Sequence, residues 1–128
     1  MGKIIAISNQ KGGVGKTTTT VNMSAAIGAL GKKTLIIDLD PQGNTTSGLG
    51  INKKELKLSA YDVLEKDNSA EEATLEVPFK NLSLIPSHIN LASADAGISL
   101  FSGKESKLKH KIAHLKNEYD YIIIDCPP

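Results

Sequence analysis

Ile4-Ile5-Ala6-Ile7-Ser8-Asn9-Gln10-Lys11-Gly12-Gly13-Val14-Gly15-Lys16-Thr17-Thr18 is the stretch that decides the fold. Ile4 to Ser8 is a short apolar, β-branched run without polar alternation, which reads as a strand buried on both faces. Asn9 to Gly15 is a glycine-rich turn. Beyond it, Met23, Ala26, Ile27 and Leu30 recur at i, i+3, i+4 and i+7 and predict a helix with that face inward. Gly31 is the expected C′ stop, with Lys32 and Lys33 after it. Thr34-Leu35-Ile36-Ile37-Asp38 is a second buried strand. Strand, helix and strand with a short return predict a βαβ unit, parallel and right-handed.

Outward from this unit the pattern is looser. Ser59-Ala60-Tyr61-Asp62-Val63-Leu64 predicts a short helix with a serine N-cap, and Ser69-Ala70-Glu71-Glu72 matches a capping box. Leu82 to Ile85 predicts a third strand, ended by Pro86. Asn90 is the expected cap of a helix running to Leu100, with Leu91 and Ile98 inward. A last helix is expected over about Lys104 to Glu118, burying Leu108, Ile112 and Leu115. Tyr121-Ile122-Ile123-Ile124-Asp125 is the fourth strand, followed by Cys126-Pro127-Pro128. Open α/β sheets carry their ligand chemistry just past the carboxyl ends of the strands. Residue 128 falls at that place, so the pattern reads as part of a longer α/β chain.

Composition narrows the classes. With 128 residues, 40% apolar and 23% charged, the expectation is one globular domain, not a disordered, collagen-like or coiled-coil chain. No apolar run approaches the roughly 18 residues of a membrane span, and the first residues open into a strand rather than a signal peptide. The single cysteine, Cys126, closes no intrachain disulfide, and the expected compartment is the cytoplasm. Fifteen basic against 14 acidic residues, net +1, argue against a nucleic-acid binder over its whole surface. All the basic residues are lysines, so any catalytic cation supplied by this chain is a lysine.

The strand, glycine turn and helix from Lys11 to Thr18 read as a phosphate site. Backbone N–H groups of such a loop converge on an anion, and the helix adds its positive end. Gly12, Gly13 and Gly15 let the backbone approach phosphates without Cβ clashes. Lys16 would reach the β- and γ-phosphates, the Thr17 hydroxyl would ligate Mg²⁺, and Thr18 would donate to an inner phosphate. The usual spacing G-x-x-x-x-G-K-[ST] is not met, since position 10 is Gln10; Lys11 stands at the head of the loop instead. Asp38 and Asp40, two residues apart at a strand end, are expected on one side.

Lys11-Gly12-Gly13-Val14-Gly15-Lys16-Thr17 resembles the deviant Walker A motif of the ParA/MinD class of ATPases. Asp38-Leu39-Asp40-Pro41-Gln42-Gly43-Asn44 is similar to the switch I segment of ParA/Soj-type partition proteins, and Ser59 to Leu64 to their following helix. Tyr119 to Pro128 resembles their Walker B strand. The resemblance covers essentially the whole chain but only the N-terminal half of a usual family member.

That resemblance implies an α/β fold of the P-loop NTPase type: a mostly parallel sheet with helices on both faces, truncated after the Walker B strand. Residues 1–128 would be the N-terminal part of one nucleotide-binding domain. It implies a Mg²⁺-dependent ATPase whose cofactor-binding residues are Lys11, Gly12, Gly13, Val14, Gly15, Lys16, Thr17 and Thr18. Metal residues would be Thr17, Asp38 and Asp125, the last through a water. Asp40 would orient or activate the attacking water, and Lys11 would cross a dimer interface to the partner's nucleotide. Implied partners are a second copy joined with ATP, a ParB-like stimulator, and nonspecific DNA contacted through the C-terminal half. The implied role is chromosome or plasmid partitioning at the nucleoid. Two alternatives are a MinD-like membrane-cycling regulator, disfavoured by Pro41-Gln42-Gly43, and an inert fragment. An iron–sulfur electron-transfer ATPase lacks its cluster cysteines.

Other features carry bland readings. Lys104, Lys107, Lys109, Lys111 and Lys116, with His110 and His114, read as a solvated helix face rather than a DNA contact. His88, His110 and His114 lack metal-ligand spacing, and Cys126 reads as a small buried residue.

Overall fold

The computed structural model describes residues 2–7, 14–66, 68–92 and 104–127. Among these, five strands form one sheet: β1 (Lys3–Ile7), β2 (Thr34–Asp38), β3 (Leu75–Glu76), β4 (Leu82–Ile85) and β5 (Tyr121–Asp125). Their order is β1-β5-β2-β4-β3. All neighbours run parallel except β3, which pairs antiparallel with β4. β1 and β2 are parallel, as expected, but β5 lies between them. Register then aligns Ile7 with Asp125 and Asp125 with Asp38, so three strands end side by side.

Helices cover both faces. Ile36, Leu82, Leu84 and Ile123 face α1 (Val14–Ala29) and α2 (Asn44–Gly48), with Val21, Met23, Ile27 and Leu49 packed there. Leu35, Ile37, Ile85 and Ile122 face α3 (Ala60–Glu65), α4 (Ala70–Ala73) and α5 (Lys104–Ile112). Alternate residues of β2 thus feed two cores, as the period of a strand requires. Leu108, Ile112 and Leu115 are buried as predicted, although the last turn is a 3₁₀ helix, Ala113–Asn117.

The inward face of α1 corrects the expectation. Leu30 is 81% exposed, Ala26 is exposed, and Met23 and Ile27 are half-buried. The buried stripe is Lys16, Thr20, Ser24 and Gly28, four residues apart. Close approach explains it: a Cβ at Gly28 would lie 2.2 Å from the Lys80 carbonyl oxygen. Only small residues fit where a helix sits that near, so the apolar side chains flank the contact line. Asn81, in the left-handed region at φ 60°, donates its amide to the Gly28 carbonyl. Gly31, at φ 89°, ends the helix as predicted, with Lys32 N–H bonded to the Ile27 carbonyl and Gly31 N–H to that of Gly28.

Both predicted caps are present. The Asp62 carboxylate accepts from the backbone N–H and hydroxyl of Ser59. Ser69 and Glu72 form the reciprocal capping box, and the Ser69 backbone N–H holds the Glu72 carboxyl below its ordinary range. Asn90 lies inside a 3₁₀ turn, Ile89–Ala92, rather than ahead of a helix. The remainder of that expected helix, with Ile98, lies outside the described residues.

Candidate nucleotide and metal site

The carboxyl ends of β2 and β5 and the first turn of α1 meet at one place. Lys16, in that first turn, is 4% exposed. Its Nζ donates to Asp40 Oδ2 at 3.0 Å and to the Cys126 carbonyl at 2.5 Å, and lies 2.8 Å from Asp125 Oδ1. Burial works against the ammonium, but hydrogen bonding and charge from Asp125 and Asp40 outweigh it and raise the Lys16 pKa above its ordinary value. Lys16 is therefore charged at any physiological pH and compensates two buried carboxylates.

Each carboxylate has a separate cradle. Asp125 Oδ2 accepts the Thr45 hydroxyl at 2.5 Å, while Oδ1 has no partner other than Lys16 among the described residues. Asp40 Oδ1 accepts from Gln42 N–H. Asp38 is fully buried and accepts three bonds: Asp40 N–H on Oδ1, Thr46 N–H and Thr46 hydroxyl on Oδ2. Burial is the chief cause of its rise to a pKa of about 6; the Asp125 charge adds to it, and the bonds from Thr46 and Asp40 oppose it.

The sequence builds this locally. Leu39-Asp40-Pro41-Gln42-Gly43 turns sharply after β2, with Gly43 in the left-handed region at φ 64°, where a residue carrying a Cβ is strained. That turn starts α2, which brings Thr45 and Thr46 against the two strand ends. From β4, the Ser87 hydroxyl donates to the Asp40 carbonyl and its N–H donates to the Thr46 hydroxyl.

Of the predicted site residues, Lys16, Asp40 and Asp125 are brought into direct contact. Asp38 is their neighbour, turned to α2 instead of Lys16. Gly15 and Thr18 are exposed and Thr17 is half-buried, all on the first turns of α1. Lys11, Gly12 and Gly13, and the Val14 side chain, lie outside the described residues. Thr45, Thr46, Ser87 and the Cys126 carbonyl were missed. Their only signal was polar side chains next to the aspartate turn, which is also what a solvated turn looks like.

Among the described residues, no three His, Cys, Asp or Glu side chains are placed to hold a metal ion by themselves. A Mg²⁺ site fits nonetheless. Mg²⁺ usually keeps several waters and takes one or two carboxylates plus substrate phosphates. Asp125 Oδ1, buried and met among the described residues only by an ion-paired lysine, is such a carboxylate, and Thr17 stands on the adjoining turn. Of the basic stretch, the Lys104 and Lys107 side chains lie outside the described residues, and Lys111 and Lys116 are half-buried. Lys109 and His110 are exposed, Lys111 donates to the Asn68 carbonyl, and His114 pairs with Glu71 in the open. No helix among the described residues is long and apolar enough to cross a membrane.

A mostly parallel sheet, a lysine on the first turn of the helix after β1, and aspartates at the ends of the neighbouring strands define the class of P-loop ATPases. The chain belongs to the family described as AAA domain, matching its model over residues 2–128, and corresponds to the N-terminal half of ParA/Soj-type members. It is 49% identical over 128 residues to the sporulation initiation inhibitor protein Soj of Bacillus subtilis, covering 100% of this chain and 51% of that protein. It is 41% identical to the chromosome partitioning protein ParA of Myxococcus xanthus, covering 100% of this chain and 45% of that one. Cobyrinic acid a,c-diamide synthase from Mycobacterium smegmatis, solved with bound ADP and magnesium, is 40% identical with a TM-score of 0.89, covering 100% and 52%. The chain spans about half the length of the curated relatives it matches.

Proposed function

We propose that residues 1–128 are the N-terminal part of one nucleotide-binding domain and form the ATP-handling half of a partition switch. The observation that carries this is the Lys16 ammonium between Asp40 and Asp125. A similar structure bearing a different name holds ADP and magnesium. Nucleotide handling is thus the shared property, while the partitioning role rests on similarity to ParA.

On binding, residues 12–18 would enclose the phosphates and Lys16 would leave its carboxylates for the β- and γ-phosphates. Thr17 and Asp125 would hold Mg²⁺, with Asp38 behind them; bound there, the ion neutralises phosphate charge and orients the γ-phosphoryl group. Asp40 would order the attacking water. Lys11 would serve a second copy's nucleotide, since Lys16 already serves its own and no arginine is present. ATP-dependent dimerisation, stimulation by a ParB-like partner, nonspecific DNA binding through the C-terminal half of such proteins and residence at the nucleoid complete the proposal.

Titrating a fluorescent ATP analogue into the chain tests its base. Lys16→Ala should abolish binding, and unchanged affinity in that variant overturns the reading. Joined to a C-terminal half, Lys11→Ala should keep ATP affinity and lose dimerisation and stimulated turnover, which size exclusion with ATP and phosphate release measure. Asp40→Ala should bind ATP without turnover.

A further inference from the structure

α2 is five residues long, yet its two adjacent threonines each hold a different buried carboxylate. Thr46 holds Asp38 through its hydroxyl at 2.7 Å and its N–H at 3.0 Å. Thr45 holds Asp125 through its hydroxyl at 2.5 Å. Both threonines are fully buried, and the aspartates they hold are direct partners in the β2–β5 register.

We propose that Thr45 is a positioning residue that selects which oxygen of Asp125 is presented to a divalent cation. This rests on the reading that the chain binds nucleotide with Mg²⁺. A carboxylate is nearly two-fold about its last torsion, so its two oxygens exchange unless something distinguishes them. Here Thr45 takes Oδ2, leaving Oδ1 on the Lys16 side with no partner among the described residues but the ammonium. When Lys16 turns to phosphate, Oδ1 is left bare and fixed in direction, a ready acceptor for a cation or its water. Without the Thr45 hydroxyl, nothing tells the two oxygens apart, and neither is held in the direction a cation would need while the single contact with Lys16 is kept.

The test compares wild type, Thr45→Val and Thr45→Ser as chains 1–128. A ribose-labelled fluorescent ATP analogue is titrated first in chelator and then at increasing Mg²⁺. Thr45→Val should bind the analogue in chelator within about two-fold of wild type and need on the order of ten-fold more Mg²⁺ for the enhancement, as for lost outer-shell partners of metal ligands. Thr45→Ser, which keeps the hydroxyl, should restore the wild-type Mg²⁺ dependence. A purely structural role would weaken binding in chelator and in Mg²⁺ alike, and that result overturns the assignment. So does an unchanged Mg²⁺ requirement in Thr45→Val. Should Thr45→Val fail to fold by circular dichroism, Thr45→Ala removes the same hydroxyl and is read in the same way; failure of both to fold also overturns the assignment, since the residue would then be structural. A wild-type chain that binds no analogue under either condition overturns the nucleotide reading itself.

Discussion

The Lys16 ammonium rests 2.8 Å from Asp125 Oδ1, the oxygen that the proposed Mg²⁺ site needs. Cation and lysine therefore exclude one another there. In the proposed site, bound nucleotide would draw the lysine away, and a divalent ion would then replace its charge against Asp125 and Asp40. Coupling of this kind is reciprocal: each ligand raises affinity for the other by one factor.

Asp125→Asn should separate the two effects. With one carboxylate fewer to leave, Lys16 engages phosphate more readily, so affinity for a fluorescent ATP analogue in chelator should rise several-fold, about 1 kcal/mol. The Mg²⁺ enhancement should vanish. Equal enhancement in wild type and variant would count against the competition.

Asp38 gives a pH dependence of fixed sign. Its folded pKa of about 6 lies above the unfolded value, so the folded state holds the proton more tightly. Its contribution is most favourable below the unfolded pKa and is lost as pH rises through about 6. The loss is on the order of 2–3 kcal/mol between pH 4 and 7. Urea unfolding of wild type and Asp38→Asn across that range should show the wild type losing stability relative to the variant as pH rises. A constant difference would remove Asp38 as the source.

Gly28→Ala should destabilise despite alanine's better helix propensity. Propensity favours alanine by about 1 kcal/mol, whereas forcing a Cβ against the Lys80 carbonyl costs about 1–3 kcal/mol or more in strain. A lower urea midpoint with unchanged slope is the expected result.

Among the described residues, β1 is an edge strand. Lys3 N–H bonds to the Asp120 carbonyl and the Ile7 carbonyl accepts from Cys126 N–H, so alternation turns the backbone groups of Ile4 and Ala6 to the open side. Ile4 is 37% exposed there. Open edges template pairing with other chains, and chain 1–128 should associate at tens of micromolar. Ala6→Pro removes an outward N–H without touching the β5 ladder and should reduce association. Light scattering from a stable wild-type monomer would contradict this.

The strands were legible as unbroken β-branched runs, as at Leu35-Ile36-Ile37 and Ile122-Ile123-Ile124, but the expected burial of the first fails: on the sheet edge, Ile4 and Ala6 of β1 are exposed and Ile5 and Ile7 half-buried. The insertion of β5 between β1 and β2 was not legible, since local pattern says nothing about pairing across more than 80 residues. β3 is two residues long and leaves no periodic trace. The face of α1 was misjudged because hydrophobic spacing assumes that large side chains mediate packing, and at Gly28 the backbone itself does. In the site, Lys16, Asp40 and Asp125 stood out as charges at strand ends or beside glycines. Thr45, Thr46 and Ser87 act through partners distant in sequence, which only the fold brings near.

The stripe of Lys16, Thr20, Ser24 and Gly28 also decides which parts can move. A helix seated through such close contacts, as at Gly28 against the Lys80 carbonyl, has little cushion of side chains to yield, so α1 should travel with the sheet. α2 is different: five residues, anchored at its start mainly by hydroxyls to two aspartates and by Ser87. Those bonds can be exchanged one for another at little net cost, whereas a packed helix cannot slide by a fraction of a turn. Any response to an occupied site would pass through residues 39–48 and on to β4 by way of Ser87. The phosphate-facing end of α1 would stay as the stationary reference.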